Sequence, residues 1–123
     1  MREITDHRTN LCNESITVTA DERDPKNGNA SHIYDVTWQE IDGSGMHIAI
    51  EFQHGPIAQV GTNGITQEVL TAILIDLLRC FQDSTYACTE NAEALGHYES
   101  ALAALKRRTE KRVARGVEGT NKV

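Results

Sequence analysis

The basic residues of this chain are concentrated in one short segment. Six of its twelve Lys and Arg residues lie within ten positions, whereas the whole chain has eighteen Asp and Glu. The six are Lys106, Arg107, Arg108, Lys111, Arg112 and Arg115. An acidic protein that gathers its cations in one place is typical of a local anion site rather than of a surface that coats nucleic acid. The segment therefore predicts binding of a small anion.

Three of these arginines share one face if the segment is helical. Arg108, Arg112 and Arg115 stand at positions i, i+4 and i+7. A guanidinium is a planar fork of donors that fits phosphate oxygens, so two of them one turn apart can clamp a pyrophosphate. The alternative is a solvated basic face at a helix C-terminus, with Glu110 as a local ion-pair partner. Free N–H groups at the start of the preceding helix, residues 65–68, would add weakly to an anion site.

An aromatic ring and an amide flank the predicted connection between the last two helices. Phe81 lies at the end of the first helix, and Asn91 lies in the first turn of the second. An aromatic face beside an amide is what a purine pocket uses, for stacking and for recognition of the base edge. The alternative for Phe81 is a core side chain, which the helical pattern alone favours.

Residues that carry catalysis or bind metals form no recognisable set. The five histidines are dispersed, and no Cys/His ligand pattern, phosphate-binding loop or nucleophile motif occurs. We therefore expect no catalytic residue, no metal ion and no cofactor. The net charge of −6 argues against general DNA binding. Two alternatives stay open, a small DNA-binding regulator with one basic helix and an enzyme that degrades its ligand.

No segment indicates export or membrane insertion. Met1 is followed by no apolar run of the kind that a signal peptide needs. The longest apolar stretch, residues 72–78, is interrupted by Asp76 and is too short to span a bilayer. The three cysteines form no C-x-x-C pair, and we expect Cys80 and Cys88 to pack as small apolar side chains. These features predict a protein of a reducing cytoplasm.

The first part of the chain has the period of two that predicts antiparallel strands. Apolar and polar residues alternate in three runs, around residues 16–20, 34–38 and 46–52. Asp42-Gly43-Ser44-Gly45 predicts a turn between the second and third runs. We predict an antiparallel sheet of three to four strands with one apolar face that must be covered.

The second part has the spacing of two amphipathic helices. Thr66 is a suitable N-cap for the first, which should end near Gln82. Thr89 is the candidate N-cap of the second, and Gly116 is a natural stop. We predict a single α+β domain made of a β-rich part, a loop and a long antiparallel helical hairpin. These parts are residues 1–53, 54–65 and 66–116.

Several short segments, in this order and spacing, resemble the phage Thoeris anti-defence family, which shares its helical hairpin with the phage anti-CBASS sponges. The segments are Ile50-Glu51-Phe52-Gln53-His54-Gly55-Pro56-Ile57, Gly61-Thr62-Asn63-Gly64, Phe81-Gln82, Ala87-Cys88-Thr89-Glu90-Asn91 and Arg108-Thr109-Glu110-Lys111-Arg112-Val113-Ala114-Arg115-Gly116-Val117-Glu118-Gly119-Thr120. The β-rich first half resembles the first type of Thoeris anti-defence protein, not the shorter, largely helical anti-CBASS sponges.

This resemblance implies a sponge of the host bacterial cytoplasm. Such a protein binds glycocyclic ADP-ribose, a cyclic ADP-ribose isomer made by the Thoeris TIR enzyme, without cleaving it, so that the NADase effector is not activated. Carried over to this sequence, Phe81 and Asn91 would contact the base, and Arg108 and Arg112 the phosphates, with Arg115 on the same face. Some relatives also bind cyclic trinucleotides at a second site, so sequestration of CBASS cyclic oligonucleotides is the alternative.

Helix length constrains how such a site is built. Asn91 and Arg108 are seventeen residues apart on one predicted helix, which places them about 25 Å apart. A molecule of the size of ADP-ribose cannot bridge that span. If both groups belong to one pocket they come from different chains, which predicts a two-fold homodimer with two equivalent pockets. The resemblance allows dimers to assemble further into a hexamer, as a trimer of dimers.

Overall fold

Four strands and four helices follow one another in the computed structural model, which describes residues 1–120. They are β1 (Arg2–Ile4), α1 (Leu11–Glu14), β2 (Thr17–Ala20), β3 (Ile33–Gln39), β4 (Gly45–Glu51), α2 (Ile57–Val60), α3 (Gln67–Gln82) and α4 (Thr89–Ala114). The strands form one antiparallel sheet, and α3 and α4 pack together as a hairpin. The predicted α+β fold class is therefore confirmed.

The sheet is a meander in which each strand pairs with the next, in the order β1-β2-β3-β4. The period of two in the sequence sets the register, so that apolar residues such as Tyr34 and Ile50 lie opposite each other on β3 and β4. At the predicted turn between these strands, Gly43 has a φ of +88°, which favours glycine. The alternation did not reveal β1, because its three residues are too few to show a period.

Helix α3 begins and ends where the sequence predicted. The Thr66 side chain accepts a hydrogen bond from the N–H of Val69, and the helix continues to Gln82. Its sixteen residues span about 24 Å. Ile75 is the buried residue of this helix, and the helix packs against α4.

The N-cap of helix α4 lies one residue before the predicted position, and the helix begins at Thr89. Cys88, not Thr89, is the N-cap, and its Sγ accepts from the N–H of Asn91 at 3.4 Å. Thr89 was predicted as the N-cap because hydroxyl side chains cap helices more often than thiols do. The prediction was wrong, since the thiol of Cys88 is the cap. The helix has 26 residues and a length of about 39 Å. Gly116 follows its end with a φ of +71°, as expected for a residue that stops a helix.

The chain divides into two compact units. The strand-rich unit holds residues 1–55 and 60–64, and the helical unit holds residues 56–59 and 65–120. The one-turn helix α2 interrupts the segment predicted as a loop. The organisation as a single domain stays a prediction.

Few side chains of the described residues are buried. The buried apolar residues are Ala20, Ile75 and Val117, and within residues 1–120 no large side chain is fully buried. Cys80 and Cys88 are both exposed, so the prediction that they pack as apolar side chains was wrong. Cys88 caps helix α4, and Cys80 precedes the exposed Phe81 near the end of α3. None of the helices in residues 1–120 combines the length and the hydropathy needed to cross a membrane.

Candidate functional site

The basic residues of α4 line a shallow groove of about 410 Å³ on one face of the helix. Its lining residues are Ala104, Arg107, Arg108, Lys111, Arg112 and Arg115. These positions follow the i, i+3, i+4 rule of a helical face. The prediction that Arg108, Arg112 and Arg115 share a face is thus confirmed. The groove also includes Arg107 and Lys111, which were not among the predicted ligand residues although the same spacing would have identified them.

Three cations of the groove have no acceptor partner in the part of the chain that the structure describes. The side chains of Arg107, Arg108 and Lys111 make no hydrogen bond or ion pair to residues 1–120. The ion-pair partner considered for the cluster, Glu110, forms no such pair with them in these residues either. Their positive charge is therefore available to an anion from outside the chain.

Arg112 differs from these three because its guanidinium is already held in place. Its Nε donates to a carboxylate oxygen of Glu118 at 3.1 Å, and its Nη2 donates to the carbonyls of Val117 and Thr120 at 3.0 Å each. The side chain is only 11% exposed. Arg112 therefore lines the groove with a fixed orientation, which the sequence did not reveal.

At the opposite end of the hairpin, Phe81 and Tyr86 form an open aromatic corner. Their rings are nearly perpendicular, at 88°, with centroids 6.3 Å apart. Phe81 is 40% exposed and Tyr86 is 73% exposed. The alternative reading of Phe81 as a core side chain is thus wrong for the single chain. An exposed ring face can stack a base.

Asn91 lies at the same corner. Its Nδ2 donates to the carbonyl of Tyr86 at 3.5 Å, so Tyr86 contacts both of the predicted base-side residues. Sequence reasoning missed Tyr86, because a single aromatic residue in a short connection has no periodic signal.

The connection between α3 and α4 is held rigid by side-chain hydrogen bonds. The amide of Gln82 brackets Cys88, accepting from its N–H at 3.1 Å and donating to its carbonyl at 3.2 Å. The Ser84 hydroxyl donates to the carbonyl of Phe81 at 2.7 Å and accepts from the N–H of Tyr86 at 3.1 Å. The aromatic corner is therefore fixed before any ligand arrives.

The predicted site residues fall into two groups that one chain does not bring together. Phe81 and Asn91 lie at the connection, whereas Arg108, Arg112 and Arg115 lie near the other end of α4. Seventeen residues of continuous helix separate Asn91 from Arg108, which is about 25 Å. A single chain therefore holds the predicted base-side residues and the predicted phosphate-side residues at opposite ends of the hairpin.

The start of α3 adds little to the basic end. Thr66 already caps it, and its first turn carries Glu68, whose carboxylate accepts from the Thr109 hydroxyl at 3.3 Å. A carboxylate at this helix start satisfies the dipole and repels a second anion.

Comparison with known proteins agrees with this geometry. The hairpin domain of the Acb2/Tad1 family matches residues 45–110, which is more than half of the chain. The chain belongs to this family. The match includes Phe81, Asn91 and Arg108, and it ends before Arg112 and Arg115.

A curated relative extends the similarity beyond the hairpin domain. Thoeris anti-defense 1 of Bacillus phage SBSphiJ7 is 44% identical over 80 residues, which cover 65% of this chain and 56% of the relative. The chain thus matches little more than half of the length of that relative. The resemblance to the Thoeris anti-defence family is confirmed.

The strand-rich unit of this Acb2/Tad1 family member contains two His–Asp pairs that the sequence did not predict. His47 Nε2 lies 2.6 Å from Asp35 Oδ1, and His54 Nε2 lies 2.7 Å from Asp24 Oδ2. Within residues 1–120 no hydroxyl or thiol is hydrogen-bonded to either ring, and no cluster of His, Cys, Asp or Glu has the geometry of a metal site.

Hydrogen bonds lower the pKa of Asp24. Its carboxylate accepts from the Asn27 side chain, the His54 ring and the N–H of Lys26, and together these lower its pKa from 3.8 to about 2. The group therefore acts as a fixed anion that organises the polar turn between β2 and β3.

Proposed function

We propose that this protein is a sponge that binds glycocyclic ADP-ribose, the Thoeris signal, and holds it without cleaving it. The NADase effector would then not be activated. The family and the 44% identity to a protein named Thoeris anti-defense 1 support the pathway. The observation that carries the proposal is the hairpin itself, which has an aromatic–amide corner at one end and a basic groove at the other, where Arg107, Arg108 and Lys111 have no acceptor partner within residues 1–120.

The ligand chemistry fits these two ends. The adenine stacks on the exposed face of Phe81, and its edge meets the amide of Asn91. The two phosphates carry two negative charges, which Arg108 and Arg112 meet with charge-assisted hydrogen bonds. Arg115 adds positive charge from the next turn. A cyclic ligand is already rigid, so little conformational entropy is lost when it binds.

A complete pocket needs two chains, because about 25 Å separates the two groups on α4. In a two-fold dimer of antiparallel hairpins, the aromatic–amide corner of one chain lies beside the basic groove of the other. Each dimer then has two equivalent pockets.

An exposed apolar stripe on α3 supplies a surface for such a dimer. Val69, Ile73, Leu77 and Phe81 recur at every fourth residue and are 46%, 57%, 51% and 40% exposed. They lie on the side of α3 away from Ile75, so the helix is apolar on both sides, which is typical of a buried helix. We assign the second copy of the chain to this stripe, because the stripe ends at Phe81 and would bring the partner's groove to it.

Light scattering measures the assembly directly. We expect a dimer at micromolar concentration, or a hexamer if three dimers associate. A protein that stays monomeric at this concentration, with or without ligand, would contradict the shared pocket.

The proposed function is tested by recovery of the signal. The protein is incubated with glycocyclic ADP-ribose, separated from unbound ligand, and then heat-denatured, and the supernatant is analysed by mass spectrometry. We expect the intact ligand to be depleted before heating and returned after it. A new product would instead indicate an enzyme, and no depletion would refute binding. A parallel incubation with cyclic di- and trinucleotides tests the CBASS alternative.

A further inference from the structure

The segment after α4 folds back onto the helix that precedes it. Gly116, with its φ of +71°, reverses the chain, and Val117 is buried at 7% exposure. The N–H of Val117 donates to the carbonyl of Arg112 at 3.0 Å, which closes the turn. Residues 116–120, called the return segment below, are therefore placed against the last turn of α4.

The return segment is anchored on its other side as well. The carbonyl of Gly119 accepts from the N–H of Ala58 at 3.1 Å, at the start of the short helix α2. Gly119 also lies beside Ile57, at a separation that leaves room for ordinary van der Waals contact. Both anchors lie in the same compact unit. Glu118 thus stands on a segment that is held from both sides.

This anchored segment supplies three acceptors to Arg112. They are the Glu118 carboxylate and the carbonyls of Val117 and Thr120, at 3.0 to 3.1 Å. An arginine side chain ordinarily loses much rotamer freedom when it binds an anion. Here the guanidinium is already ordered, so that loss is borne by folding and not by ligand binding.

We propose that Glu118 is a positioning residue of the ligand site, which acts by fixing the guanidinium of Arg112 at the wall of the basic groove. This inference rests on the proposed function, because it assumes that the groove receives the phosphates of the signal. Glu118 itself does not touch the ligand. It does for the arginine what outer-shell acceptors do for the ligands of a metal.

A carboxylate next to a phosphate site can also compete with the phosphate for the same cation. The charges of the groove indicate whether Glu118 mainly positions Arg112 or mainly competes with the ligand. Glu118 neutralises one positive charge, whereas Arg107, Arg108 and Lys111 have no acceptor partner within residues 1–120. The groove therefore stays strongly positive with Glu118 in place. Orientation of Arg112, not repulsion of the ligand, is the larger effect.

The experiment compares three variants by calorimetry with glycocyclic ADP-ribose. Glu118→Ala removes the acceptor, Glu118→Gln keeps an acceptor but removes the charge, and Glu110→Ala is the control. Glu110 is an exposed carboxylate on the same helix, without an ion pair in the described residues, so its removal changes the charge but not the hold on Arg112. We expect about a tenfold loss of affinity for Glu118→Ala, at the low end of outer-shell effects. Glu118→Gln and Glu110→Ala should stay within about threefold of the wild type, because a side-chain acceptor still faces the Nε of Arg112 in both.

A spectroscopic signal separates positioning from a general loss of structure. The Nε–H of Arg112 gives a resolved ¹H–¹⁵N NMR signal when it is hydrogen-bonded, and Arg112→Lys identifies it by its disappearance. We expect this signal to be lost in Glu118→Ala and kept in Glu118→Gln, while the backbone amide spectrum of the sheet is unchanged.

The outcomes distinguish the two proposals. If the wild-type protein does not bind the signal, the proposed function fails. If the wild type binds and Glu118→Ala binds equally well, Glu118 does not position Arg112. Tighter binding by either Glu118 variant would show that Glu118 competes with the ligand, which also overturns the inference.

Discussion

Arg108 and Arg112 are one helical turn apart, yet the fold gives them different roles. Arg108 has no acceptor partner in the described residues and is free to follow a ligand, whereas Arg112 is tied to the return segment. If the groove receives the phosphates as proposed, an unpartnered guanidinium would adapt to the ligand and a fixed one would define its orientation. At the other end of the hairpin, the exposed rings of Phe81 and Tyr86 likewise lie on a connection that hydrogen bonds hold in place.

Replacement of Arg108 by Ala should weaken ligand binding by about 10- to 100-fold, because a hydrogen bond to a charged group contributes about 1.5 to 3 kcal/mol. Isothermal titration with glycocyclic ADP-ribose measures the change. Lys106→Ala is the matched control, since Lys106 is also a partner-free cation in residues 1–120 but lies about 160° around the helix from Arg108. Equal losses in the two variants would indicate nonspecific attraction and not a site.

Asp24 gives a prediction about pH. Its folded pKa of about 2 lies below its ordinary value of 3.8. A carboxyl with a depressed pKa stabilises the fold above the ordinary value, and this contribution is lost as the pH falls through the folded value. The difference in unfolding free energy between the wild type and Asp24→Asn should be constant above about pH 4 and shrink toward pH 2.

Urea denaturation across this pH range measures that difference. Asp6→Asn is the control, because Asp6 is exposed and has no hydrogen bond to its carboxyl in residues 1–120. Its effect should show no such narrowing. A difference for Asp24→Asn that is equal at pH 2 and pH 7 would contradict the assignment.

At the scale of elements, one glycine lies inside α4 and another follows its end, and their backbone conformations differ. Gly116 needs its φ of +71° to start the return segment, whereas Gly96 lies inside the helix with open space around it. Gly116→Ala should destabilise the protein by about 1 kcal/mol, and Gly96→Ala should stabilise it by about 0.5 to 1 kcal/mol.

Denaturant unfolding of both variants checks the signs. Gly116→Ala should also weaken ligand binding, because the return segment holds Arg112. A stabilising Gly116→Ala would mean that the turn after α4 does not need a left-handed residue.

Periodic patterns, and single residues with a strong structural preference such as Thr66 and Gly116, predicted the right structure, whereas contacts that depend on local geometry were not predicted. The alternation in β3 and β4 predicted the sheet, and the helical spacing in α3 predicted the hairpin. The hydroxyl of Thr66, just before the first turn, predicted the helix cap. The thiol cap at Cys88 and the position of Tyr86 depend on local geometry, which produces no periodic pattern in the sequence. The acceptors around Arg112 are mostly backbone carbonyls, which are present at every residue and so leave no mark in a sequence.

At the scale of the whole molecule, the small core and the exposed apolar surface point to association. Within residues 1–120 three apolar residues are buried, while Ile73 and Ile48 are each more than half exposed. A chain of this size buries a modest share of its surface when it folds alone. Apolar stripes of this kind are typical of surfaces that another protein covers.

Combining two variants that each bind the ligand weakly tests whether the pocket is shared between two chains. Phe81→Ala and Arg108→Ala each damage both pockets of their own homodimer. A mixed dimer has one pocket with both defects and one with neither, so co-expression should restore about a quarter of the pockets in a statistical mixture. Analytical titration of the purified mixture counts them. Failure to restore any high-affinity site, with mixed dimers present by native mass spectrometry, would place the two residues in separate sites.

If the proposed pocket is completed by two chains, as the separation of the two groups along α4 requires, capture of the ligand depends on the concentration of the chain. Below the dissociation constant of the dimer, the number of complete pockets rises with the square of the chain concentration. Above it, each added chain adds one pocket. An infected cell would therefore pass from almost no buffering of the signal to stoichiometric buffering over a narrow range of synthesis, so the timing of expression would matter as much as affinity.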